Sequence, residues 1–262
     1  VGGVEVALWE LAGKARKGPV DELLGGRGRP RLRGYSSRLR YDTSSQVGQA
    51  VTGALALGHT AIKLHQIDVE SVAVAREVAG DDVELMLDTN CPWSVEEAIR
   101  MGRRLERFEL RWLEEPVRWV DDHRELKLLS RRTRIPISAG ESEVTGYACR
   151  SLIEDQAIQI LQFDCTMFGG FTTGRKLASL CELNHVAVAP HHDCFIHAQL
   201  VAATPAGAIV ESFTDPDRDP LQAELFENPP RIENGWVTLN DAPGLGLTLS
   251  TAALRKFGER VL

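Results

Sequence analysis

Three carboxylates, Asp88, Glu114 and Glu141, recur at intervals of 26 and 27 residues, each near the end of a short apolar run: VELMLD, LRWLEE and IPISAGE. One such carboxylate is ordinarily a solvated or salt-bridged strand end. Three on successive strands repel one another unless a divalent cation neutralises them. All-oxygen ligation suits a hard cation, Mg²⁺ first and Mn²⁺ second. Upstream, TAIKLH carries Lys63 and His65 two positions apart, so both project from one face of a strand. Downstream, LQFD ends at Asp164, VAVAPH at His191, and Glu211 lies in GAIVES. Neighbouring strands run about 4.8 Å apart, so Asp164 is expected to hydrogen-bond His191. That contact orients the imidazole and favours its protonated form, a good general acid or base. Glu211, with its proton affinity raised, is expected to donate a hydrogen bond to an anion. Asn90, one pleat beyond Asp88, joins the same set of strand-end positions.

These residues need a scaffold that brings strand ends together. Short apolar runs alternate with longer helical stretches from Pro30 onward. The strand candidates are 31–37, 60–65, 83–88, 110–115, 135–141, 158–164, 186–191 and 207–212. Helices are expected over 44–58, 69–79, 94–105, 122–132, 144–154, 170–183 and 196–203. Strands separated by helices imply a parallel sheet with crossover connections. At this length the sheet is expected to close as a TIM-type (β/α) barrel, with its chemistry at the C-terminal strand ends. An open doubly wound sheet is the alternative, but no glycine-rich nucleotide fingerprint follows the first strand. Residues 1–29 read as a helical lead-in, with Val6, Leu8, Trp9 and Leu11 near its apolar side, and residues 30–212 as the barrel. Residues 213–262, rich in Pro, Gly and Asp, read as extended segments wrapping the barrel and ending in a short helix near 250–258.

Composition narrows the function classes. A net charge of −7 argues against a nucleic-acid partner. No run approaches 18 apolar residues and no signal peptide opens the chain, so neither membrane nor export is expected. Five cysteines without C-x-x-C spacing fit reduced thiols in the cytoplasm. A small carboxylate is the expected substrate partner, and a homo-oligomer the expected assembly.

Other residues invite plainer readings. His59 and His185 precede strands on the barrel's stability face, His123 enters a helix, and His197 sits on a helix after the seventh strand. His192, beside His191, is expected to face away from the pocket. Glu115, beside Glu114, is expected to point outward into a salt bridge. Cys91, Cys165 and Cys194 read as small buried rim residues. Trp93, Trp112 and Trp119 read as packing residues, Trp119 with the option of lining the pocket from its loop.

Taken together, IKLH, LMLDTN, WLEEP, AGESE, LQFD, APHHD with HAQLVAATP, and VESF resemble the enolase superfamily, within its mandelate racemase/muconate lactonizing enzyme-like branch. The likeness spans essentially the whole chain and implies the modified (β/α)7β barrel. It further implies Mg²⁺ held by Asp88, Glu114 and Glu141, which binds a substrate carboxylate and stabilises the enediolate formed when a base removes the α-proton. Lys63 stands where the family's lysine contacts that carboxylate, the Asp164–His191 dyad serves as acid or base, Glu211 bonds the carboxylate oxygen, and Asn90 supports the site. His65 stands where the family commonly has a second lysine. The opening helix resembles the family's lead-in to the barrel, so the chain is expected to be a piece lacking the capping domain. Dehydration of a sugar acid to a 2-keto acid is the first expectation. Two-base racemisation or epimerisation is the second, and an inert barrel used for binding the third.

Overall fold

The computed structural model describes residues 1–118, 123–192, 194–213 and 220–259. Two helices, α1 (Gly2–Arg16) and α2 (Val20–Leu24), lead into strand β1 (Arg31–Ser37). Helix and strand then alternate: α3 (Ser44–Ala56), β2 (Ala61–Leu64), α4 (Val69–Ala79), β3 (Glu84–Asp88), α5 (Val95–Leu105) and β4 (Leu113–Glu114). The series continues with α6 (Arg124–Ser130), β5 (Ile137–Ala139), α7 (Gly146–Glu154), β6 (Ile160–Leu161), α8 (Gly170–Leu183), β7 (Ala187–Val188), α9 (Cys194–Ala202) and β8 (Val210–Ser212).

Helix starts follow from short polar side chains placed before apolar periodicity. Thr43 with Gln46, and Ser94 with Glu97, form reciprocal capping boxes on α3 and α5. Asp68 and Thr145 accept backbone N–H bonds at the starts of α4 and α7.

Parallel pairing runs in the order β7-β6-β5-β4-β3-β2-β1, and β8 pairs β1 on the far side. A parallel bridge between Val188 and Gly207 closes the ring, with Val188 donating to the Ala206 carbonyl and Ala208 to the Val188 carbonyl. Strand alternation then divides the core. Tyr35, Ala61, Met86, Trp112, Ile160, Ala189 and Ile209 fill the barrel interior. Ile62, Leu64, Leu85, Leu87, Leu113, Ile137, Leu161 and Val188 face the helices. Each interior row, extended toward the C-terminal rim, reaches a charged side chain: Ala61 leads to Lys63, Met86 to Asp88, Trp112 to Glu114 and Ile209 to Glu211. The rim residues beyond β5, β6 and β7 lie past the paired segments, although His191 still donates to the Phe163 carbonyl.

Beyond β8 lie the outer pieces α10 (Pro220–Leu225), the hairpin β9 (Arg231–Glu233) and β10 (Trp236–Thr238), and α11 (Thr251–Phe257). The extended wrapping expected of the tail is in part this hairpin, whose β10 runs antiparallel to the first half of β1. Its turn is Asn234-Gly235, both at positive φ (50° and 72°), a combination that suits the right-handed twist of a two-residue hairpin. In α1, Val6 is buried and Trp9 packs edge-on against Phe171 of α8. Leu8 and Leu11, expected on the apolar side, are instead exposed, because α8 covers only the Val6–Trp9 flank. No helix among the described residues is long and apolar enough to cross a membrane. Trp119 lies outside the described residues.

Candidate active site

At the C-terminal rim, Asp88 and Glu114 stand side by side in the β3–β4 register, and Glu141 enters from the turn after β5. One oxygen of each lies within 4.8 Å of the others. Lys63 drives its ammonium into this cluster, 2.9 Å from Glu114 Oε1, 3.3 Å from Asp88 Oδ2 and 3.1 Å from Glu211 Oε1. Trp112 Nε1 donates to the other oxygen of Glu114 at 2.9 Å, and the Asn90 N–H donates to Asp88 Oδ1 at 3.0 Å. Two imidazoles flank the trio. His65 Nε2 lies 3.0 Å from Asp88 Oδ2, while its Nδ1 meets the Arg38 carbonyl. His191 Nε2 lies 3.5 Å from Glu141 Oε2, and its Nδ1 lies 3.6 Å from Asp164 Oδ2, an ion-pair contact longer than the hydrogen bond expected between them. The other oxygen of Asp164 accepts from the Thr166 N–H and hydroxyl, both at 2.7 Å.

Burial and charge act unequally on these groups. Burial, then the charges of Glu114 and Asp88, push Glu141 up to about 10. Burial also pushes Asp88 up, but Lys63 and then His65 outweigh it and hold the group at about 2. Glu114 is raised by burial and by Asp88. Burial works against the Lys63 ammonium, yet Glu114 and Glu211 keep it well above its ordinary range. Asp164 is lowered, because contacts with His191, His197 and Thr166 overcome its burial. His191 is raised: burial opposes its charge, and Asp164 with Glu211 more than compensates.

A family model described as enolase C-terminal domain-like matches residues 46–253. The chain belongs to the enolase superfamily. It is 31% identical to a D-galactarolactone cycloisomerase of Agrobacterium fabrum, over 97% of this chain and 72% of that protein. It is 27% identical to an arabinonate dehydratase of Saccharolobus solfataricus, over 98% of this chain and 71% of the relative. Among solved structures, a mandelate racemase/muconate lactonizing enzyme from a marine actinobacterium, in complex with magnesium, superposes with a TM-score of 0.89 at 31% identity, covering 97% of this chain and 73% of that one. The modified barrel that the motifs imply for this superfamily is thus the observed fold.

The donor set suits a hard cation: three carboxylates within bridging distance, one of whose oxygens, Glu141 Oε2, is buried without a hydrogen-bond partner. Lys63, His65, Asp88, Glu114, Glu141, Asp164, His191 and Glu211 all converge on this one rim. Asn90 does not bring its side chain there. The backbone turns left-handed at Asn90 and Cys91 (φ 55° and 58°), so no further pleat follows Asp88. The exposed Asn90 side chain accepts instead from Arg40.

Glu211 also departs from the expected raised donor. Burial pushes it up, but Lys63, His191, the Ser37 side chain and the His192 N–H hold it well below the usual carboxylate range. It is an acceptor here. His192 reaches the site through its backbone, donating to Glu211 Oε2 at 2.6 Å, while its ring packs 4.7 Å from Phe213.

Two residues given plain readings belong to the site's supports. His197, fully buried on α9, accepts the Cys165 N–H at 3.0 Å and lies 3.4 Å from Asp164 Oδ1. Glu115 points inward and is buried rather than salt-bridged at the surface. The spacing HxxxxxH between His191 and His197 carried no sign of this, since one follows a strand and the other lies on a helix.

Proposed function

We propose that the protein is a Mg²⁺-dependent hydro-lyase that dehydrates a sugar acid to a 2-keto acid, with Mn²⁺ as a second competent cation. The observation that carries this reading is the carboxylate trio flanked by His65 at Asp88 and by His191 at Glu141. Asp88, Glu114 and Glu141 would hold the cation, which supplies positive charge beside a substrate carboxylate and so favours loss of the neighbouring α-proton. Lys63 offers that carboxylate its ammonium. His65 sets its Nδ1–H on the Arg38 carbonyl, and its Nε2, which contacts Asp88 Oδ2, would accept the α-proton once Asp88 serves as a cation ligand instead of its partner. His191, kept protonated through Asp164 at Nδ1, delivers a proton from Nε2 to the departing β-hydroxyl, which leaves as water. Glu211 holds Lys63 and the His192 backbone in place. Five free thiols fit a cytoplasmic setting.

Relatives named as arabinonate, D-xylonate and L-talarate/galactarate dehydratases support elimination over inversion at the α-carbon. A second reading, cycloisomerisation, is favoured by the relatives named for it, one of them 32% identical to this chain. Incubation with a panel of sugar acids and their lactones in Mg²⁺, followed by mass spectrometry, separates the readings. Dehydration lowers the mass by one water and yields a 2-keto acid, whereas cycloisomerisation leaves the mass unchanged. An epimer as sole product would overturn both.

A further inference from the structure

We infer that Glu115, the second acidic residue of WLEEP, is a positioning residue that latches the turns after β3 and β5 and so holds Glu141 and Asp88 at their cation-binding separation. The inference rests on the reading of Asp88, Glu114 and Glu141 as the cation site. Glu115 is 3% exposed. Its Oε2 accepts from the Ser142 hydroxyl at 2.8 Å and from the Cys91 thiol at 3.3 Å, and its Oε1 accepts from the Ser142 N–H at 3.3 Å. Its main chain ties the same turns: the carbonyl accepts from the Cys91 N–H at 2.7 Å and from the Thr89 hydroxyl at 3.1 Å.

Each tie is one residue removed from an element of the cation site. Ser142 follows Glu141. Cys91 follows Asn90, whose N–H is bonded to Asp88 Oδ1. Left-handed backbone marks the turn after β3 and the latch residue, while the turn after β5 turns at Gly140 (φ 132°). Glu115 itself lies at φ 38°, with Asn90 and Cys91 also left-handed. Such conformations in non-glycine residues persist only where surrounding contacts over-determine them. Strand alternation would send Glu115 outward; the left-handed turn sends it back under Glu141 instead. Its hydrogen-bond partners are neutral, so its contribution is acceptor geometry rather than charge pairing. A glutamine can keep that geometry: its oxygen accepts the Ser142 N–H, and the hydroxyl and thiol rotate to accept from its amide.

The test is calorimetric titration of Mg²⁺ into the full chain and four variants, with thermal unfolding in the absence of cation to establish that each is folded. Glu115→Ala is expected to weaken Mg²⁺ binding about 10- to 100-fold, the range for outer-shell partners of metal ligands. Glu115→Gln is expected to stay close to wild type. Ser142→Ala is expected to weaken binding, and to add little in the Glu115→Ala background because both act through one contact. Wild-type affinity in Glu115→Ala, or equal loss in Glu115→Gln and Glu115→Ala, would overturn the latch. Should Glu115→Ala fail to fold, unchanged affinity in Ser142→Ala overturns it. Absence of Mg²⁺ binding by the wild type would remove the cation site itself and not the latch alone.

Discussion

At the residue scale the site packs opposed charges together and leaves one buried carboxylate oxygen, Glu141 Oε2, without a hydrogen-bond partner. Lys63 touches three carboxylates; it lowers Asp88 and Glu211, while burial and the charges of Glu114 and Asp88 raise Glu141. The two histidines are chemically distinct. His191 has a carboxylate behind it at Nδ1, and His65 has a backbone carbonyl. His65→Ala is therefore expected to slow exchange of the substrate α-proton with solvent by at least about 100-fold. NMR in D₂O reads this directly, and retained exchange would move the base role to His191.

Asp164 gives a pH-dependent stability. Its carboxyl is lowered in the folded chain, so it contributes stability that is present above the ordinary carboxylate value of about 3.9 and lost as pH falls through the folded value. Asp164→Asn is expected to cost about 1–3 kcal/mol near pH 7. Urea unfolding from pH 7 to pH 3 should show the gap between wild type and variant narrowing on acidification.

The convergent residues were legible because apolar runs ended in acids and bases at a regular interval. Asn90, Glu115 and His197 were not. For the first two, alternation stops applying once the chain leaves the strand with positive φ. For His197, contact with Asp164 depends on how α9 packs over the turn after β6, which no local spacing encodes.

At the element scale, the eight barrel strands and the seven helices between them all lie within the spans read from the sequence or within two residues of them. The apolar period marked these elements, and side-chain caps marked the starts of α3, α4, α5 and α7. Several strands are shorter than their apolar runs, since pairing stops where the rim turns begin: β4 keeps only Leu113–Glu114 of a longer run. The tail was less legible because its strands are three residues each and half exposed, so alternation is weak. Asn234-Gly235 was the one strong local sign of a hairpin there. Gly235→Val is expected to destabilise the chain by about 1–3 kcal/mol. A β-branched residue resists φ 72°, and its Cβ would press on the Gly58 carbonyl and His59 Cα, both 3.3 Å away. Thermal unfolding measures this, and an unchanged midpoint would argue that the hairpin does not hold β1.

At the scale of the whole molecule, closure of the ring by the Val188–Gly207 bridge is what brings β2 and β7 to one rim. A cation bound there links three successive strand ends to the folded state and to nothing in the unfolded chain. At 100 times its dissociation constant Mg²⁺ is thus expected to stabilise by about 2.7 kcal/mol. For a chain of this size that is a rise of roughly 5–10 °C in melting temperature. Asp88→Asn and Glu141→Gln should abolish the rise, as differential scanning calorimetry would show.

The fate of one hydrogen distinguishes elimination most directly. A panel of acid sugars incubated with the protein and Mg²⁺ in D₂O, followed by NMR, is expected to yield a 2-keto-3-deoxy acid. That product should carry solvent deuterium at C3, because the enol left by loss of water takes its last proton from solvent. The same reaction should fail with EDTA and with Glu141→Gln. Equal conversion with and without Mg²⁺, or a product that keeps all its original hydrogens and hydroxyls, would contradict the account.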